Sequence, residues 1–216
     1  MRVKFIIALS VILIPSFLFA DFEDFRFQPM RNKIRYKEEF FQLYNRWLYS
    51  DLDSTSRNIF FLELAYTMPF NTPIKALVPV TNETQYDKYK SLLMMRICVL
   101  LAQEYINYAN FFMKEHIYFY NREFFKDYLD GYDIAEFYYN SARKYWHEAI
   151  EHARIARSIR GFKMDLNFNG WNYDFEEEAY RIVNGMVYYD ETIDRRLARI
   201  ERNRRIINQA LENEGN

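Results

Sequence analysis

Two histidines and two glutamates crowd one short stretch, His147-Glu148-Ala149-Ile150-Glu151-His152. A zinc-protease helix needs two histidines four residues apart on one face. Here they stand five apart, about 140° around a helix, so no zinc face forms. The pairs four apart are His147 with Glu151 and Glu148 with His152, which predicts helix-stabilising side-chain pairs. A di-iron bundle needs Glu-x-x-His on two helices. Met113, Lys144 and Ala149 stand three residues before His116, His147 and His152. No metal set and no cofactor is therefore expected. Cys98, the single cysteine, sits in the apolar run from Leu92 to Ala102 and is predicted to be a buried, inert thiol. No Gly-x-Ser-x-Gly elbow is present. Asp127/Asp130 and Glu176-Glu177-Glu178 could supply acid–base groups, but capping and the helix dipole explain carboxylates at helix starts. The expectation is a protein that is not an enzyme. The best small-ligand candidate is the stretch Asn167-Phe168-Asn169-Gly170-Trp171-Asn172-Tyr173. Trp171 and Tyr173 could stack on a sugar ring while the asparagines bond its hydroxyls. The competing reading tucks those aromatics into the core.

A second constellation is electrostatic. Arg195, Arg196, Arg199, Arg202, Arg204 and Arg205 crowd eleven residues near the C-terminus, opposed there only by Glu201. Ile193, Leu197, Ile200, Ile207 and Leu211 keep 4-3 spacing, with Arg204 at the intervening seam position. An amphipathic helix with a solvated basic face fits this pattern. A docking or dimerising helix for an acidic partner fits it too, and it assigns partner binding to Arg195, Arg196, Arg199, Arg202 and Arg205 with Ile193, Leu197 and Ile200. Membrane-surface binding is disfavoured because no Trp or Phe anchors this segment.

The elements that must position these groups are helices. The chain has 5 Gly and 5 Pro but 19 Tyr, 20 Phe and 3 Trp among 216 residues. That balance argues against sandwiches and barrels built on Gly/Pro turns. Apolar period 3.6 predicts helices over 33–49, 55–67, 83–119, 134–160, 174 onward to a break at Gly185, and 190–213. Asp53 or Ser54 is the expected N-cap of the second. Capping boxes are read at Asn82–Gln85, Asp133–Glu136 and Asp174–Glu177. Gly131 suits the left-handed position that ends the segment before Asp133. Residues 68–82 hold three of the five prolines and are expected to pack on the body through Phe70, Ile74, Leu77, Val78 and Val80. Ala135, Ala142, Ala149 and Ala156 recur every seven residues, with Tyr138, Tyr145, His152 and Ile159 three positions later. That heptad seam predicts close packing against the neighbouring helix, with a homo-oligomeric seam as the rival. The predicted fold is all-α, a multi-helix bundle or a short helical-hairpin solenoid.

The first twenty residues read as an address. Arg2 and Lys4 precede the apolar Phe5 to Phe19, and Ala20 ends the run before Asp21-Phe22-Glu23-Asp24. This predicts a secretory signal peptide at 1–20 and a periplasmic or secreted protein. An uncleaved anchor is the rival, but fifteen residues fall short of the roughly 20 needed for a span, so no stable membrane insertion is expected after leader removal. Losing Arg2 and Lys4 takes the 29 basic residues to 27 against 30 acidic ones. That balance argues against nucleic acid as a partner. The expected organisation is a leader, an extended arm at 21–32, an aromatic helical body at 33–189 and a basic amphipathic helix at 190–216.

Ala142-x-x-x-Trp146-x-x-Ala149, preceded by Tyr138-Tyr139-Asn140, resembles the small–aromatic–small spacing on the second helix of a tetratricopeptide repeat. The resemblance implies a helical-hairpin scaffold that binds proteins. More loosely, an exported, aromatic-rich helical chain is similar to accessory scaffolds of periplasmic flagellar motors, such as the collar proteins of spirochaetes. These readings converge on a non-catalytic interaction or assembly subunit whose partner is another envelope protein or a second copy. The rivals are a glycan-type binder using Trp171 and Tyr173, and a periplasmic chaperone exposing aromatics to unfolded clients.

Overall fold

A computed structural model describes residues 34–44, 51–161, 163–164, 166–168 and 171–212, with backbone alone at 119–121, 166–168 and 171–173. The expected leader and arm, Trp47 and Leu48 of the first expected helix, and the tail after 212 lie outside the described residues. The described chain is an all-α multi-helix bundle. It comprises α1 (Lys37–Phe41), α2 (Leu52–Thr67), α3 (Glu83–Phe112), α4 (Phe125–Ser158), α5 (Phe175–Val183) and α6 (Tyr189–Glu212). The described residues from Ile34 onward form one compact unit, so α6 belongs to the same body as the aromatic helices.

The bundle is organised around α3. Its run from Leu92 to Ala102 is apolar on nearly every side and buried almost throughout, the signature of a helix with packed neighbours all round. α2, α4 and α5 surround it. The alanine row of α4 (Ala135, Ala142, Ala149 and Ala156) is fully buried. Its small side chains let α3 and α4 run close together, so the seam is intramolecular. Tyr138 and Tyr145 fill the space beside it. Tyr105 stacks on both at 5.8 and 5.6 Å, and Tyr145 meets Tyr66 of α2 edge-on at 5.3 Å. The aromatic excess is thus the mortar between three helices.

Several boundaries differ from the periodicity. The first helix is short, because its residues are held by long-range bonds. Lys37 donates its amide to Pro69 O (2.9 Å) and its ammonium to the carbonyls of Ala65 and Tyr66 at the end of α2. The Glu38 carboxylate accepts from Asn71 N and from Tyr89 Oη. α2 begins at Leu52 with Asp51 as its N-cap: the Asp51 carboxylate accepts from the amide of Ser54 at 2.7 Å and from its hydroxyl at 2.8 Å. Ser54 is therefore the capped residue. Val78 of the proline-rich connection is buried as expected, but Ile74, in a 3₁₀ turn at Pro73–Lys75, is 96% exposed.

Gly131 and Asp133 do not mark a helix boundary. α4 begins at Phe125 and runs straight through both. Gly131 is needed for approach, since a Cβ there would stand 3.0 Å from the carbonyl oxygen of Phe112. The other two boxes are caps. Asn82 accepts from Gln85 N at 2.9 Å, and Asp174 accepts from Glu177 N at 2.9 Å. Gly185 ends α5 in the left-handed region at φ 64°. Met186 N donates to Arg181 O and Gly185 N to Ile182 O, the paired bonds of a Schellman motif. In the aromatic stretch, where no strand was expected, β1 (Leu166–Phe168) pairs antiparallel with β2 (Trp171–Tyr173), Leu166 facing Tyr173 and Phe168 facing Trp171. Strands of three residues are too short to show an alternating pattern.

Candidate interaction surface

α6 divides its residues among three duties. Ile193, Ile200 and Ile207 are 0%, 1% and 0% exposed and form its core-facing row in a helix packed on α4. Ile193 and Ile200, expected at a partner interface, are therefore core residues, and Leu197 is half-buried. The 4-3 spacing that suggested a docking seam is satisfied within the chain.

The second duty is ion pairing to the body. Arg204 reaches Asp133 Oδ1 and Glu136 Oε2 on α4, both at 2.5 Å, and Glu201 Oε1 at 3.1 Å. Arg196 and Arg199 share Glu115, in the α3–α4 connection, at 2.6 and 3.3 Å. The hydrogen bond from Arg196 holds the Glu115 carboxyl below its ordinary pKa. Arg143 of α4 returns the arrangement by pairing with Asp194. Beside these pairs, Asn203 donates its side-chain amide to Lys114 O and to Tyr132 Oη, each at 3.0 Å. Arg196 and Arg199, expected to meet a partner, thus engage Glu115. Asp133 and Glu136, expected to cap a helix, receive Arg204.

The third duty is the outer face, with Arg195, Arg202 and Arg205. All three are exposed. Among the described residues Arg195 hydrogen-bonds only the Thr192 hydroxyl and Arg205 only the carbonyl of Glu201, each at a loose 3.4 Å. Arg202 has no hydrogen bond or ion pair among the described residues. Spacing of seven and three residues keeps the three guanidinium groups on one side of the helix, with exposed Ala198 between them.

The other candidate groups find structural partners. His147 Nε2 lies 3.1 Å from Asp190 Oδ1, and Trp146 Nε1 donates to Asp190 Oδ2 at 3.1 Å. Glu148 accepts from Tyr66 Oη at 2.5 Å, and that bond pushes the phenol up to about 12. Glu151 pairs with Arg154. Of the expected pairs within the 147–152 stretch, Glu148 acts electrostatically on His152, while the hydrogen bonds of His147 and Glu148 run to α6 and α2. Burial lowers the pKa of His152 and pushes the Cys98 thiol up to about 12, which keeps it protonated and unreactive. Among the described residues, no group of three or more His, Cys, Asp or Glu is placed to hold a metal ion. A cleft of about 380 Å³ opens between α3, α5 and the start of α6. Two pairs of its polar groups face each other: Arg96 pairs with Glu178 at 2.6 Å, and Gln103 donates to Tyr189 Oη. Trp171 and Tyr173, the glycan candidates, are strand residues of β2. No helix among the described residues is long and apolar enough to cross a membrane.

Fold and surface together define a helical bundle with a basic outer helix whose remaining charge is directed away from its own core. The chain belongs to the family described as Domain of unknown function (DUF8513), whose model matches residues 84–210, more than half of the sequence and the whole stretch from α3 into α6. No curated protein and no solved structure matches.

Proposed function

We propose that this chain is an exported, non-catalytic assembly subunit of the cell envelope that docks an acidic surface of a partner protein on the outer face of α6. One observation carries the reading. Of the six arginines between 195 and 205, three are neutralised by carboxylates within the chain, while Arg195, Arg202 and Arg205 remain side by side with no carboxylate partner among the described residues. Arginine presents a planar donor fork to carboxylates and is enriched at interfaces. A row of three raises association rate and fixes orientation more than it adds affinity. The signal-peptide pattern at 1–20 supports export.

The test replaces Arg195, Arg202 and Arg205 together by glutamate in the full-length chain. Surface substitutions of this kind change stability by only about 0.5 kcal/mol each, so the melting curve stays near wild type. Chemical cross-linking in the native envelope is then read by mass. Loss of the cross-linked complex with an unchanged melt is the expected result. A complex that forms as well with three glutamates there would refute the proposal.

A further inference from the structure

The opposite side of α4 carries a surface of different chemistry. Asp127, Asp130, Ile134, Phe137 and Ser141 follow the 3-4 spacing of one helix stripe. That stripe faces away from Tyr132, Glu136 and Arg143, which meet α6. Phe137 is 62% exposed and Ile134 36%; Phe111, on the last turn of α3, is 43% exposed. The rings beneath are continuous. Phe137 packs edge-on against Tyr138 at 5.2 Å, and Tyr138 meets Tyr108 at 4.7 Å and Phe112 at 6.4 Å. Exposed apolar side chains grouped over such a ring cluster mark interaction sites more than single scattered ones do. Its rim is acidic. Asp127 and Asp130 extend the stripe, and Asp53 at the start of α2 lies close enough to act electrostatically on Tyr108. Asp53, Asp127 and Asp130 are exposed and have no ion pair among the described residues. The cation nearest along α4 is the exposed Lys126 beside Asp127, which leaves the rim net negative with three carboxylates to one ammonium; Lys144, further on, sits over the ring of Tyr145.

We infer that this face binds a cationic amphipathic helix of a partner protein, with an apolar ridge seated on Ile134, Phe137 and Phe111 and Lys or Arg over Asp127, Asp130 and Asp53. The straight stripe on α4 presents a ridge that a second helix can flank, and a net negative rim around an apolar centre favours a basic helix over an acidic one. This surface is independent of the arginine face of α6, so the chain would bridge one acidic and one basic partner.

The probe is a labelled lysine/leucine amphipathic helix of about 18 residues, long enough to hold helical structure once bound. Its glutamate/leucine counterpart is the control. Both are titrated by fluorescence anisotropy against the full-length protein. The lysine peptide binds, and the double variant Ile134→Ser, Phe137→Ser weakens it about tenfold while keeping a cooperative melt, because neither side chain is buried in the core. Asp127→Asn with Asp130→Asn flattens the salt dependence. Charge reversal at Arg195, Arg202 and Arg205 does not weaken it, which separates failure here from failure of the α6 reading. The inference is overturned if the serine variant binds equally well, if the glutamate peptide competes, or if anionic lipid vesicles are captured through Phe137.

Discussion

Lys37 is the most constrained single residue. Its side chain is 3% exposed, and its ammonium caps the last carbonyls of α2 between the rings of Tyr66 and Phe70. Burial outweighs the favourable charge of Glu38 and lowers its pKa to about 8. The folded state therefore binds fewer protons than the unfolded chain between pH about 8 and 10.5, and the contribution of Lys37 to stability rises with pH across that window. Cys98 acts oppositely above pH 9, because burial raises its pKa, so the lysine must be isolated by difference. Comparing wild type with Lys37→Met in urea titrations at pH 7 and 9.5, the wild type gains up to about 2 kcal/mol relative to the variant, at about 1.4 kcal/mol per pH unit above 8. A difference that is flat with pH would show that the ammonium is solvated.

At the scale of elements, α6 is a structural helix with a functional edge, and the two roles separate by residue. Ile200→Ala removes a fully buried side chain between α6 and α4 and lowers unfolding free energy by about 3 kcal/mol, read as a shift of the urea midpoint. The outer-face arginines should move that midpoint hardly at all. This division was only half legible in the sequence. The 4-3 row of isoleucines gave the helix and its apolar side, but not which body covered it, because a heptad row is the same whether the neighbour is α4 or another chain. The Asp133–Glu136 pattern is local and reads as a cap, whereas its carboxylates belong to Arg204, about seventy residues on. Gly131 gave the same kind of false boundary, since a glycine needed for close approach to Phe112 O looks like one needed for positive φ. Asn82, Asp174 and Gly185 were legible because capping is decided within four residues. Phe111, Ile134 and Phe137 left no sequence signal, because an aromatic at helical spacing looks alike in a core and on a face.

For the whole molecule, the family segment and the folding unit do not coincide. The family model begins at residue 84, yet the compact unit begins at Ile34. α2 contributes Ile59, Leu62 and Ala65, each 0% exposed, to a bundle in which it packs on α3. It also brings Asn58, which donates to the buried Glu104 at 3.2 Å and counters the rise in carboxyl pKa that burial causes. Removing α1 and α2 would bare an apolar side of the central helix α3 and leave Glu104 without that donor. Each buried aliphatic side chain returned to water costs about 1.5–3 kcal/mol, against the roughly 5–15 kcal/mol that holds a domain of this size. A fragment starting at residue 34 should therefore melt cooperatively at the temperature of the full chain. A fragment starting at residue 82, although it contains the entire family segment, should keep its helical far-ultraviolet signal, lose a sharp melting transition and bind a hydrophobic dye. A sharp, wild-type melt from the shorter fragment would mean that α3 through α6 are the complete fold and that α2 is an attachment to it.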